Sequence, residues 1–277
     1  MNYSHHFHAG NFADVFKHVW LTRILLHLAR KDAPFRYIET HAGPGLYDLR
    51  GPEAARANEW QDGIGRLATA GFPPACRDLL ADYLAAVGAL DGQAPQAYPG
   101  SPLIAQGLLR PQDRMTVCEL HPPRFEELVV NLGRDPRAKA VNIDGYVGLN
   151  AFLPPKERRG LVMIDPPFEA ADEFERLQAA LAGALRKWAT GIYAVWYPLK
   201  QRHGDAASRL APVDLPKRLW IELRPGPSRG GDAEGLAGCG VFVVNPPHGL
   251  AEQCTIVMPE LARVLGRGAA GDWRIVT

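Results

Sequence analysis

The chain has only four cysteines, Cys76, Cys118, Cys239 and Cys254, and none forms a CxxC pair or follows a zinc-ligand spacing. That argues against a disulfide framework or a cysteine zinc site, and the four read as reduced packing residues. An excess of charge of one sign is also missing, since 31 Lys and Arg against 30 Asp and Glu leave +1 at pH 7. Such a chain does not coat nucleic acid by bulk electrostatics, although a local basic face could still dock a structured RNA. No apolar signal core opens the sequence and no apolar run is long enough to span a bilayer, so no membrane association is expected and the cytoplasm is the expected compartment. Internal repeats and low-complexity tracts are absent as well. What remains, 277 residues at 47% hydrophobic and 22% charged, suits a globular α/β domain carrying an insertion.

The stretch Leu161-Val162-Met163-Ile164 followed by Asp165-Pro166-Pro167-Phe168 organises the rest. Four apolar residues suit a strand buried on both faces of a parallel sheet, and the prolines end it, leaving Asp165 at its carboxyl end. Open α/β sheets bind ligands there. The residue types fit chemistry on an exocyclic amine of a planar base. A carboxylate accepts one hydrogen bond from the amine, a carbonyl beside Pro166 can accept another, and Phe168 stacks on the ring. Asp/Asn-Pro-Pro-Tyr/Phe is also the signature of amino-group methyltransferases, which this loop resembles.

In chain order, Tyr3, His5, His6, Phe7, His8, Asn11, Lys17 and His18 crowd the amino terminus. Something should hold this segment down: either its rings and cations contact a nucleic acid or close over a cofactor, or some histidines pack while others are solvated. Asn11 can cap a helix reaching about Arg30, with Val15, Phe16, Val19, Trp20, Ile24, Leu25 and Leu28 at helical spacing. Lys17 falls on a different azimuth from much of that stripe, so its replacement is expected to shift the melting temperature little. No carboxylate or cysteine set completes a metal site in this segment.

A strand at Phe35–Glu39 leads into Thr40-His41-Ala42-Gly43-Pro44-Gly45. The glycines let backbone approach a ligand closely, but without GxGxxG the loop fits an acidic-x-x-x-Gly-x-Gly loop better than a phosphate cradle. Residues 47–97 change to Ala/Leu-rich helical segments with no evident strand, predicting a helical insertion in a domain formed by 1–46 and 98–277. Ser101 reads as an N-cap before Pro102. Glu119 ends the next strand, where dinucleotide folds place the acid for a ribose, and Asp144-Gly145 ends a third. After a helix at about 171–188 and a strand at 192–197, segments 218–223 and 240–244 predict a terminal hairpin around the basic loop Arg224 to Gly231. A helix at 251–265 and a strand near 273–276 close the chain. Asn245-Pro246-Pro247 is a second Asn-Pro-Pro, but it ends a late hairpin strand and is assigned a structural role.

Taken together, His8-Ala9-Gly10-Asn11 with Ala13-Asp14-Val15 and Lys17-His18, Thr40-His41-Ala42-Gly43, Tyr98-Pro99-Gly100-Ser101-Pro102-Leu103-Ile104-Ala105, Glu119-Leu120-His121-Pro122 and Ile164-Asp165-Pro166-Pro167 closely resemble the RlmJ family of 23S ribosomal RNA adenine N6-methyltransferases. The resemblance covers nearly the whole chain. It implies a class I methyltransferase fold, a mostly parallel Rossmann-like sheet with a terminal antiparallel hairpin and a small inserted helical subdomain. It also implies S-adenosylmethionine as donor, S-adenosylhomocysteine as product, and no metal. By that resemblance Lys17, His18, His41, Ser101, Glu119, Asp144 and Gly145 contact the cofactor, and Asp165 is the catalytic acid. Tyr3, His5, Lys17, Pro166 and Phe168 contact the substrate. Phe168 stands where the family commonly has tyrosine, which keeps a stacking face and loses a hydroxyl. The implied partner is 23S rRNA or a ribosome-assembly intermediate, met by a monomer. A DNA adenine methyltransferase would share the cofactor motifs. An NAD-dependent oxidoreductase would need a phosphate loop, and a non-catalytic RNA-binding module would have no need of Asp165-Pro166-Pro167.

Overall fold

The computed structural model describes residues 4–199, 210, 217–226, 236–268 and 271–277. Ten strands are present among them: β1 Arg36–Glu39, β2 Leu46–Asp48, β3 Ala97–Pro99, β4 Arg114–Cys118, β5 Ala138–Val141, β6 Gly160–Ile164, β7 Ile192–Leu199, β8 Arg218–Arg224, β9 Gly238–Val244 and β10 Asp272–Val276. The helices are α1 Phe12–Ala29, α2 Pro52–Ala57, α3 Arg66–Thr69, α4 Pro74–Ala86, α5 Ser101–Leu108, α6 Pro122–Leu132, α7 Gly145–Phe152, α8 Glu173–Lys187 and α9 Leu250–Leu265.

Eight strands make one sheet in the order β10-β8-β9-β7-β6-β1-β4-β5. The run from β5 to β7 is parallel, and β9, β8 and β10 add antiparallel pairings. Every residue of β6 is buried, as an uninterrupted apolar run covered on both faces should be. From β1 the chain steps outward through β4 and β5, then returns to β6 on the other side of β1. The strand order therefore reverses between β1 and β6, and open α/β sheets bind ligands beyond the carboxyl ends at such a switch point.

Helix α1 differs from the expected amphipathic stripe. From Phe12 to Thr22 every side chain is buried, Asp14, Lys17 and His18 included, because α1 packs against α4, α5, α9, β6 and β9 together. A helix enclosed on all sides carries no polar face. The segment read as an insertion begins and ends in a two-stranded ribbon, with Tyr47 opposite Tyr98. Strands of three residues leave no readable periodicity. Ile64, Leu67, Leu80 and Tyr83 from the intervening helices join the same buried cluster as α1.

Candidate active site

The glycine loop is tied across the strand ends. Ala42 N–H donates to the Cys118 carbonyl at 2.9 Å, Gly43 N–H to Glu119 Oε2 at 2.9 Å, and Gly100 N–H to the Gly45 carbonyl at 2.7 Å. Gly43 lies at φ 63°, and a Cβ there would meet the Tyr47 hydroxyl at 2.6 Å, so both backbone and space demand glycine. Glu119 takes a second backbone N–H, from His121, on Oε1 at 2.8 Å. Asp144 caps α7, its Oδ1 accepting from Tyr146 N–H at 2.9 Å and Val147 N–H at 3.1 Å, while Oδ2 stands 3.6 Å from the Arg176 guanidinium. A Cβ on Gly145 would clash with the Thr40 carbonyl, so the ends of β5 and β1 can meet only through glycine. His41 closes the group, with Nδ1 at 2.7 Å from Thr40 Oγ1 and its ring edge-on to Tyr146. Burial pulls its pKa down to about 4 against the attraction of Asp165 and Asp144, so the ring is neutral at pH 7.

Beyond β6 a chain of alternating charges leads back to the amino terminus. Lys17 Nζ donates to Asp165 Oδ2 at 2.6 Å and lies 3.1 Å from Asp14 Oδ1. Asp14 Oδ2 in turn sits 2.8 Å from His5 Nε2 and accepts from Gly10 N–H at 3.0 Å. Lys17 is 6% exposed and Asp14 2%. Burial works against both charges, yet the two carboxylates hold the Lys17 ammonium well above its usual range, and His5 and Lys17 hold Asp14 well below its own. Lys17 is thus an integral buried ion, which revises the expectation that it is dispensable to folding. His18 stacks on Tyr98 and shares a 2.8 Å contact between Nδ1 and the Tyr98 hydroxyl, while its Nε2 is buried without a partner among the described residues. Burial and the neighbouring Lys17 keep it neutral.

Ser101 departs from its expected cap. Gly100 is the N-cap of α5, and the Ser101 hydroxyl donates to Glu39 Oε1 instead. Glu39 is wholly buried beside Tyr37, and burial, opposed by hydrogen bonding from Ser101 and Tyr37, pushes its pKa up to about 7. Asp14 and Glu39 are the polar groups that the sequence reading left unassigned. The i,i+3 spacing of Asp14 and Lys17 was the available signal for the first, and the acid heading the glycine loop for the second.

Pro166 is buried, and Phe168, at φ 51°, turns its ring toward Phe174 and Trp196 at centroid distances of 4.9 and 5.9 Å. Tyr3 and residues 227–231 of the basic loop lie outside the described residues. His5 and His6 meet the Tyr47 ring edge-on, and His8 Nδ1 lies 3.0 Å from Glu59, which also accepts from Asn11 at 2.9 Å. These contacts hold the amino-terminal segment against the ribbon and against Glu59, just beyond α2. The second Asn-Pro-Pro is remote: Val244 pairs with Tyr193 near the start of β7, so Asn245 occupies the opposite rim, donating to the Ala189 and Gly191 carbonyls at 2.8 and 2.7 Å. Among the described residues no group of three His, Cys, Asp or Glu side chains is placed to hold a metal, and no helix is long and apolar enough to cross a membrane.

This strand order, with its antiparallel far end and its reversal between β1 and β6, defines the class I methyltransferase fold. More narrowly, the chain belongs to the family described as ribosomal RNA large subunit methyltransferase D, RlmJ, whose model matches residues 32–276. It is 38% identical to ribosomal RNA large subunit methyltransferase J of Haemophilus influenzae, over 99% of this chain and 98% of that protein. The Escherichia coli protein of the same name is 40% identical over 94% of this chain and 92% of its own length. A crystal structure of a Legionella pneumophila protein superposes with a TM-score of 0.86 at 34% identity, covering 98% of each chain. A probable spermidine synthase from Corynebacterium glutamicum, at 15% identity and a TM-score of 0.50 over 94% of this chain and 74% of its own, shares the fold alone.

Proposed function

We propose that the chain transfers a methyl group from S-adenosylmethionine to the N6 amine of an adenine in large-subunit ribosomal RNA, with S-adenosylhomocysteine as product. The observation that carries it is the acceptor-only chemistry of the Asp165 loop at the switch between β1 and β6. Two consecutive prolines remove backbone donors, so Asp165, Pro166 and Pro167 present carbonyls and a carboxylate beside an aromatic ring. A group that donates two hydrogen bonds from a planar ring, an aromatic amine, is what such a loop recognises.

The residues at the neighbouring strand ends suit the donor. Glu119 keeps lone pairs for ribose hydroxyls after accepting its two N–H bonds, Gly43 and Gly145 keep the backbone bare of side chains, and neutral His41 adds no repulsion toward a cation. Lys17, on α1, and Ser101, on α5, reach those strand ends through Asp165 and Glu39, and His18 follows Lys17 on α1. When bound, S-adenosylmethionine supplies an electrophilic methyl group. Asp165 Oδ2 is held by Lys17, and Oδ1 accepts no hydrogen bond among the described residues, so it is open to an amine. A hydrogen bond from the amine to Oδ1 draws its lone pair out of conjugation, and the aromatic wall fixes the ring plane, aligning nitrogen for attack. Asp165 Oδ1 can also accept the departing proton. The adenine must be unpaired or flipped to enter.

Incubation of the purified chain with S-adenosylmethionine and a large-subunit rRNA transcript, followed by nucleoside mass spectrometry, tests this. N6-methyladenosine is expected in the RNA and not in DNA of the same sequence. Absence of methylation, or methylation of DNA alone, overturns it.

A further inference from the structure

The Asp165 loop has a second aromatic wall, contributed by β7. Ile164 pairs with Val195, so Asp165, just past the end of β6, stands level with Trp196, inside β7, which continues to Leu199. Ala194, Val195, Tyr197 and Pro198 around it are buried, whereas Trp196 is half-buried. Its indole nitrogen is fully buried, on the side of the Cys239 thiol. The exposed part of the ring is therefore carbon, and the polar atom that usually brings tryptophan to a surface is turned away from it. Phe168, also half-buried, meets the Trp196 ring at 5.9 Å and 59°. Phe168 takes a left-handed backbone conformation that a bulky residue seldom adopts, which sets its ring in that corner.

We propose that Trp196 is a base-contacting, specificity-determining residue of the pocket: with Phe168 it forms a two-ring corner that receives a purine, face against one ring and edge against the other. The proposal rests on the adenine assignment above and extends it. A corner of two rings gains more from the wide face of a purine than from a pyrimidine, while the carboxylate and carbonyls of the Asp165 loop select the amine.

The full chain labelled with 5-fluorotryptophan, examined by fluorine NMR, is the test, because Trp196 can be assigned among the six tryptophans by the resonance lost in Trp196→Phe. In the presence of S-adenosylhomocysteine, a short RNA with one unpaired adenine should move that resonance, and the same RNA with cytosine there should not. Trp196→Leu should raise the KM for RNA roughly ten-fold or more with unchanged cofactor affinity, and Trp196→Phe should retain most of the parent behaviour. A resonance unmoved by an RNA that the same preparation methylates overturns the proposal, as does a folded Trp196→Leu with the parent KM. If the parent chain methylates no adenine, the adenine assignment itself falls.

Discussion

Replacing Lys17 by methionine keeps the side-chain length and removes the charge that joins two carboxylates. Asp165 lies 2.6 Å and Asp14 3.1 Å from the ammonium, and Asp14 is 2% exposed. Removing one partner of a buried ion pair costs about 3–5 kcal/mol, since the remaining charge stays buried and unpaired. Asp165, with its side chain 17% exposed, can recruit water, and Asp14 keeps His5 and the Gly10 N–H, which favours the lower figure of about 3 kcal/mol. At about 2–4 °C per kcal/mol for a domain of this size, the melting temperature should fall by roughly 6–12 °C. The deficit has a definite pH dependence. In the parent, Asp14 is held below its ordinary value, so it stabilises above that value and the contribution is lost in acid. Without Lys17, one of the attractions that oppose burial is gone and His5 remains, so the folded-state value of Asp14 moves up toward the unfolded one. The deficit is therefore full above about pH 4 and shrinks as pH falls from there toward the parent's lowered folded-state value. Adding Asp14→Asn to Lys17→Met should restore at least half of the lost stability and none of the methylation, because Asp165 still lacks its cation. Differential scanning calorimetry across pH decides the matter. A Lys17→Met melting temperature within about 2 °C of the parent at neutral pH would refute the buried ion chain.

Further expectations concern single sites. Asp165→Ala should abolish methyl transfer while calorimetry shows near-parental affinity for S-adenosylhomocysteine; retained activity would remove Asp165 from the chemistry. Asn245→Ala should stay active and lose only about 1–2 kcal/mol of stability with its two carbonyl contacts, measured by urea unfolding. Glu119→Ala should weaken cofactor binding by about 1.5–3 kcal/mol, and unchanged affinity by calorimetry would sink that assignment. Glu39, whose folded-state value is raised from 4.5 to about 7, stabilises in its protonated form, so that contribution is full in acid and fades as pH rises through about 7. Glu39→Gln should flatten that decline, worth up to ~3 kcal/mol, in urea unfolding series between about pH 5 and 8.

The sheet was legible where burial on both faces writes itself as an unbroken apolar run. Leu161 to Ile164 shows this best, with two prolines fixing which end bears the polar loop. The terminal hairpin and the order of polar strand ends, Gly43, Glu119, Asp144 and Asp165, follow from the same alternation of strand and helix. Partners were not legible. Lys17 and Asp165 are 148 residues apart, and a lysine among apolar helix positions looks solvated until the helices that enclose α1 are in place. Ser101 looks like a cap because serine before proline normally is one, yet the buried Glu39 beside it claims the hydroxyl. The ribbon of Leu46–Asp48 and Ala97–Pro99 is too short to show a period. Trp196 lies inside a strand pattern and reads as core, and its half-exposed face emerges only from the register with Ile164.

The most direct test of the central claim is a map of N6-methyladenine in large-subunit rRNA from cells lacking this chain, complemented with the parent or with Asp165→Ala. Loss of methylation at one adenine, restored by the parent and not by Asp165→Ala, is the predicted result. An rRNA whose N6-methyladenines are all unchanged by the deletion would contradict it.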